Sequence, residues 1–375
     1  MITLVFIITF LYLVLIGSFV YGFDKVNDFK LEDISPKTKF SVIIPFRNEA
    51  DHLPALLASI SKLNYPKSLY EIILVDDDSE DNSIETISSS SLQELNVDIS
   101  VVKNVRKTSS PKKDAITTAI RQSKYPWIVT TDADCILSKY WLDGFDNYIQ
   151  HHNPKLLIAP VTFTGVDTFF KRFQLLDILS LQGVTIGSFG IHKPFLCNGA
   201  NLAYQKDIFN TVKGFEGNSH ISSGDDIFLL EKIIKRDKNS VHYVKNDAIV
   251  VSTTPELTFN NLKSQRVRWA AKTSNYNSIF SKITAIIVVL MNGLLVCFPL
   301  LYVAQLLTLK TLVYTCAIKF LIDFLLLFKS ARFFNQAQYL SSYILSCFIY
   351  PFFSIYVTFI SIFSSYKWKG RSFKK

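Results

Sequence analysis

The sequence predicts an α/β domain on a doubly wound, mainly parallel sheet, joined to one N-terminal and about three C-terminal transmembrane helices. Three observations carry this reading. The 375 residues are 49% hydrophobic and 19% charged, with a mean hydropathy of +0.23, which excludes disorder and sits poorly with a wholly soluble protein. The apolar excess is concentrated, because residues 1–23, 283–309 and 333–366 carry no charged side chain and each run exceeds the roughly 20 residues a bilayer needs. Between the first two runs, short apolar stretches alternate with helical patterns, as in a chain of βαβ units.

In chain order, residues 1–23 lack the basic n-region and cleavage site of a secretory signal and read as an uncleaved anchor. Residues 24–261 form the α/β domain. Within it, 40–45 and 72–75 read as buried strands, and Leu53, Leu56, Leu57, Ile60 and Leu63 mark one helical face between them. A strand at 97–102, a helix carrying Ala115, Ile116, Ala119 and Ile120, and a strand at 127–131 continue the pattern, while Ser88 to Ser91 read as a solvated loop or helix end. Residues 262–282 are a basic interfacial segment with Trp269, Tyr276 and Phe280. The C-terminal region, 283–375, holds expected spans at 283–309, 311–328 and 339–363 and a basic tail from Lys367. Lys319 and Asp323 lie four apart and can neutralise each other inside a bundle, and Pro351 is expected to kink the last span.

The net charge of +9 does not point to nucleic acid, because the basic residues flank membrane segments. Lys25, Lys30, Lys37 and Lys39 follow the first span, and Lys263, Arg266, Arg268, Lys272 and Lys282 precede the second. That bias places the α/β domain in the cytoplasm, with the chain integral to the cell (inner) membrane and its N-terminus outside. The tail raises a conflict. Three full C-terminal crossings would put it outside, whereas its charge asks for the inside, so one of the three segments is expected to be interfacial or re-entrant. Cysteines 135, 197, 297, 316 and 347 show no paired spacing, which indicates neither a disulfide framework nor a zinc site.

Ligands of doubly wound sheets sit beyond the carboxyl ends of the strands, and three polar clusters fall there. Arg47, Asn48 and Glu49 follow the first strand, Asp76 to Ser79 the second, and Asp132 and Asp134 a later one. An isolated Asp-x-Asp is more often a turn and cap, but at a strand end two carboxylates can share one hard cation whose coordination a diphosphate completes. Asp76 and Asp77 can accept hydrogen bonds from a nucleobase or ribose, or simply cap a turn. Asp225-Asp226 precedes a periodic helix, where a cap is the default role. Gln265-Arg266-Val267-Arg268-Trp269 reads equally as a membrane anchor with an interfacial tryptophan.

Taken in order and spacing, the run Val42 to Glu49, Asp76-Asp77, Asp132-Ala133-Asp134, Asp225-Asp226 and Gln265-x-x-Arg268-Trp269 resembles the motifs of family 2 glycosyltransferases. The membrane arrangement resembles the branch holding cellulose, hyaluronan and poly-N-acetylglucosamine synthases and ceramide glucosyltransferase. The resemblance implies a GT-A fold, a nucleotide-diphosphate sugar donor, Mg²⁺ or Mn²⁺, and inversion at the sugar. It implies nucleotide or donor contacts for Pro45, Arg47, Glu49, Asp76, Asp77, Lys112, Asp132, Gln265 and Arg268, with Arg266 a weaker candidate. Metal ligation falls to Asp132 and Asp134, the catalytic base to Asp226, acceptor stacking to Trp269, and the acceptor entrance to the 195–201 loop with Cys197 and Asn198. Two residues depart from the family pattern: Asp78 and Pro111 each stand where a glycine is usual.

The resulting expectation is an inverting, metal-dependent transferase acting on a lipid-linked or membrane-associated glycan. A processive polysaccharide synthase and an inactive membrane-tethered nucleotide-sugar scaffold are the alternatives. One-plus-three spans are few for a polymer channel unless the chain oligomerises or has a partner subunit, which favours transfer of one or a few sugars.

Overall fold

The computed structural model describes residues 1–89, 97–273, 275–363, 366–368 and 371–373. Ser90 and Ser91 of the serine run and Lys369, Gly370, Lys374 and Lys375 of the basic tail lie outside the described residues. In chain order the elements begin with α1 (Ile2–Lys25), β1 (Phe40–Phe46), α2 (Leu53–Ile60), β2 (Tyr70–Asp76), α3 (Ser83–Ser88), β3 (Asp98–Lys103), α4 (Pro111–Gln122) and β4 (Trp127–Thr130). There follow α5 (Trp141–His152), β5 (Leu156–Ile158), β6 (Val161–Phe163), α6 (Phe169–Gly190), β7 (Leu202–Gln205), α7 (Lys206–Thr211), α8 (Asp225–Arg236), β8 (Val241–Tyr243) and β9 (Val251–Thr253). Last come α9 (Phe259–Thr273), α10 (Ile279–Val303), α11 (Leu309–Phe333), α12 (Tyr343–Phe363) and the hairpin β10 (Tyr366–Trp368) and β11 (Arg371–Phe373).

Two compact units share the chain. Asn27–Thr164 and Leu196–Thr254 form the α/β unit, whose seven-stranded sheet runs β3-β2-β1-β4-β7-β5-β8. Its pairs are parallel except at β7, which is antiparallel to both β4 and β5. The inner strands β1, β2 and β4 read as apolar runs because both of their faces are covered, whereas the edge strand β3 is largely exposed. Phe40, Val42, Ile44 and Phe46 pack with Leu53, Leu56, Leu57 and Ile60 of α2 and with Trp141 and Phe145 of α5, and α4 packs on β1 and β2. Parallel register brings Phe46 beside Asp76, so the polar residues after β1 and β2 open at one edge.

Met1–Val26, Gly165–Phe195 and Pro255–Lys375 form the second unit. Four of its helical stretches are long and apolar enough to cross a membrane: Ile2–Lys25, Ile279–Val303, Leu309–Phe333 and Ala337–Phe363. The expected boundary between 283–309 and 311–328 moves, because Gln305 takes a left-handed φ of 58° after α10 and Thr308 caps α11 through Thr311 N. Hydropathy shows no such break. Segment 165–195, expected inside an unbroken 24–261 domain, groups instead with the apolar helices. Lys171, Arg172 and Asp177 interrupt the hydropathy of α6, yet a Cβ at Gly187 would fall on the carbonyl of Phe19 and one at Gly190 on that of Gly22. The two backbones meet directly, a contact only glycine permits.

Candidate active site

At the end of β4 the backbone turns, with Cys135 N donating to Asp132 O at 3.2 Å. Ala133 and Cys135 point inward while Asp132 is half-buried and Asp134 exposed. The Lys112 ammonium, in the first turn of α4, donates to Asp132 Oδ1 at 2.6 Å and stands 3.4 Å from Asp225 Oδ2. Pro111 occupies the first turn of that helix, where its fixed φ suits the helix and its missing N–H costs nothing. Burial by itself would lower the pKa of Lys112, but Asp132, Asp225 and Asp226 hold it well above the ordinary lysine value. The amine is therefore a fixed cation among three carboxylates.

Asp226 is half-buried in the first turn of α8, after Gly224 with φ of 80°. Its Oδ1 accepts from Ile227 N at 2.7 Å and its Oδ2 from Gly199 N at 3.3 Å. Gly199 sits in a 3₁₀ turn, Gly199–Asn201, whose carbonyl accepts from Thr130 Oγ1 at 2.7 Å. A Cβ on Gly199 would come 3.0 Å from Asp225 Oδ2 and 3.6 Å from Lys112 Nζ. The loop thus threads closely between the carboxylates, where a side chain would press on Asp225. Asn198 caps this turn, its Oδ1 accepting from Ala200 N at 3.0 Å, and Cys197 beside it is half-buried.

The residue after Lys112 is also tied to this region. Lys113 is 1% exposed, donates to the carbonyls of Asn218 (2.8 Å) and Ile221 (2.9 Å), and lies 4.8 Å from the Phe228 ring centre. Its amine braces the loop that leads into Asp225 and Asp226.

A second cluster gathers after β1 and β2. Pro45 is half-buried in β1. Arg47 donates to the carbonyls of Asp77 (2.9 Å) and Asp78 and pairs with Glu80 at 2.7 Å. Buried Glu49 holds His52 at 2.8 Å, and Asp76 Oδ1 accepts from Ser79 N at 3.0 Å. Asp77 is buried, its Oδ1 taken by Arg106 Nε and Asn104 Nδ2, each at 2.7 Å. Asn104 and Arg106, which follow β3, belong to no motif. The strand-end rule that singled out the other clusters points to them once β3 is counted.

Gln265, Arg268 and Trp269 lie on α9 of the other unit, where Gln265 Nε2 donates to Glu256 Oε1 at 3.0 Å. Arg266, weighed for the diphosphate, is buried there: its Nε donates to Asp177 Oδ2 at 2.6 Å and its guanidinium stacks 4.3 Å from the Trp269 ring centre. An arginine so paired orients Trp269.

Among the described residues no group of three or more His, Cys, Asp or Glu side chains is placed to hold a metal ion unaided. Asp134 has no ion pair among the described residues, and Asp132 keeps Oδ2 clear of Lys112. One or two carboxylates completed by phosphate oxygens and water is how Mg²⁺ is commonly held, so these donors fit a hard divalent cation.

A mainly parallel sheet with acidic groups at the carboxyl ends of β2 and β4 and at the start of α8 defines a GT-A domain, here carried in one chain with membrane-length helices. Residues 41–212 match Glycosyl transferase family 2 and residues 127–364 match Glycosyl transferase family group 2; the chain belongs to the family 2 glycosyltransferases. It is 27% identical to Glycosyltransferase AglE of Haloferax volcanii over 50% of this chain and 58% of that one. It is 37% identical to the undecaprenyl-phosphate 4-deoxy-4-formamido-L-arabinose transferase of Serratia proteamaculans over 27% of this chain and 30% of that one. These matches span less than two thirds of the curated relatives' length. Mannosyltransferase PcManGT from Pyrobaculum calidifontis, solved with GDP-Man and Mn²⁺, shares the fold at a TM-score of 0.59 and 16% identity, over 92% of this chain and 98% of that one.

Proposed function

We propose that the protein is an inverting glycosyltransferase that moves a sugar from a nucleotide-diphosphate donor to a lipid-linked or membrane-associated glycan acceptor. The observation that carries this reading is the Lys112 cation among Asp132, Asp225 and Asp226. In the proposed reaction Asp226 takes the proton of an acceptor hydroxyl as its oxygen attacks the anomeric carbon, and the bond from that carbon to the diphosphate breaks, the electron pair leaving with the diphosphate. Lys112 stabilises the charge of the departing group. Asp132 and Asp134 would hold Mg²⁺ or Mn²⁺, which supplies further neutralisation of the diphosphate. Asp76, Asp77, Arg47, Glu49 and Pro45 are assigned to the nucleotide, Gln265 and Arg268 to the diphosphate, and Trp269, Cys197 and Asn198 to the acceptor, all by resemblance.

PcManGT binds GDP-Man and Mn²⁺, and the Serratia relative is named for an undecaprenyl-phosphate acceptor, which supports both a nucleotide sugar and a lipid. Basic residues beside α1 and α10 support a cytoplasmic α/β domain in the cell membrane. The test is a screen of nucleotide sugars for nucleotide diphosphate release, with membrane lipid extract as acceptor. We expect release that requires a divalent cation and vanishes in Asp134→Ala, with an organic-extractable product. Full turnover in chelator, or in Asp134→Ala, would sink the reading.

A further inference from the structure

We propose that the C-terminal ends of α1 and α11 form a binding groove for the phosphate headgroup of an anionic glycerophospholipid. The groove, about 260 Å³, is lined by Phe23 of α1 and by Leu325, Phe328, Lys329 and Arg332 of α11. Positions 325, 328, 329 and 332 follow the i, i+3, i+4, i+7 spacing and share one helical face. Polarity changes along that face in one direction. Leu325 and Phe328, 42% and 37% exposed, come first toward the middle of the span, and the two cations follow at its end. An amphiphile has the same gradient, its chain lying against Leu325, Phe328 and Phe23 and its phosphate at the cations.

The charges facing the groove settle its preference. Lys329 Nζ lies 2.8 Å from both oxygens of Asp24, which offsets one positive charge. Arg332 is exposed, has no ion pair among the described residues, and holds its guanidinium 5.7 Å from the Phe328 ring centre. The side chains at the rim, Asp24 included, therefore sum to one positive charge, and Arg332 offers planar donors suited to phosphate oxygens. A zwitterionic headgroup would bring its own ammonium against that charge. A free phosphate ion would leave the apolar wall uncovered.

The test is native mass spectrometry of the full chain in non-ionic detergent, titrated with phosphatidylglycerol or chain-matched phosphatidylcholine. We expect roughly ten-fold tighter retention of phosphatidylglycerol, since each cation at a membrane surface contributes several-fold. Arg332→Gln, at an exposed position, should cut that preference by about five-fold. Lys282→Gln, which removes an exposed charge at the start of α10, is the control and should leave the preference intact. Equal retention of the two lipids, equal losses in Arg332→Gln and Lys282→Gln, displacement of the lipid by millimolar inorganic phosphate, or a dimer that excludes the lipid would each overturn the assignment.

Discussion

Lys112 and Asp132 meet at 2.6 Å, and the same ammonium stands 3.4 Å from Asp225, so one cation ties the end of β4 to the start of α8. Three carboxylates raise the folded-state pKa of that lysine against the opposing effect of burial. A raised pKa contributes stability that is fully present below the unfolded value of about 10.4 and is lost as pH climbs through the folded value. The Tm difference between the native chain and Lys112→Gln should therefore stay level from about pH 6 to pH 10 and narrow above it. A difference that narrows between pH 6 and pH 8 would show that Lys112 is not the charged member of the cluster.

Asp78 adopts a left-handed φ of 67° where the family usually has glycine. Its carboxylate, 3.8 Å from Arg47 and 3.6 Å from Arg106, partly offsets that conformation. Asp78→Gly exchanges these exposed ion pairs for an unstrained backbone, so stability should change by less than about 1 kcal/mol. Asp78→Val should cost about 1–2 kcal/mol, because a β-branched residue resists the left-handed region. Chemical denaturation of both variants gives the comparison, and a neutral Asp78→Val would refute the assigned backbone.

Within the membrane unit, β10 lies against α9, and Val357 of α12 packs with Val267 and Ala271 of α9. This packing predicts that the tail shares a face with α9, as its charge asks, in place of a complete third C-terminal crossing. Cysteines placed at Lys263 and Ser372 should label from the same face of sealed vesicles, and one at Lys310 from the other. Opposite labelling of the first two would establish a complete third C-terminal crossing.

The sheet and its polar edge were legible because buried parallel strands read as unbroken apolar runs, and because Asp76 and Asp132 stand beside them in sequence. The rest was set by contacts between distant residues. Asp225 looks like a helix-start acid until Lys112 is seen beside it, and Asp77 looks free until Arg106 and Asn104 take its carboxylate. Arg266 carries the same charge as Arg268, and its burial depends on Asp177 some 89 residues away. The α6 helix was hidden by its own charges, since its packing depends on Gly187 and Gly190, which hydropathy counts as nearly neutral.

The central claim is that Asp226 accepts the proton of the attacking hydroxyl. Two backbone N–H groups, of Gly199 and Ile227, hold its carboxylate, and an asparagine can keep its carbonyl oxygen toward one of them while losing the base. The most direct measurement is the kcat of Asp226→Asn alongside its donor affinity, taken by calorimetry with the donor identified in the nucleotide-sugar screen. Proton acceptance predicts a kcat lower by a factor on the order of 10² to 10⁴ with donor Kd nearly unchanged. A Kd that collapses while kcat at saturation survives would contradict it and make Asp226 a donor ligand or a helix cap.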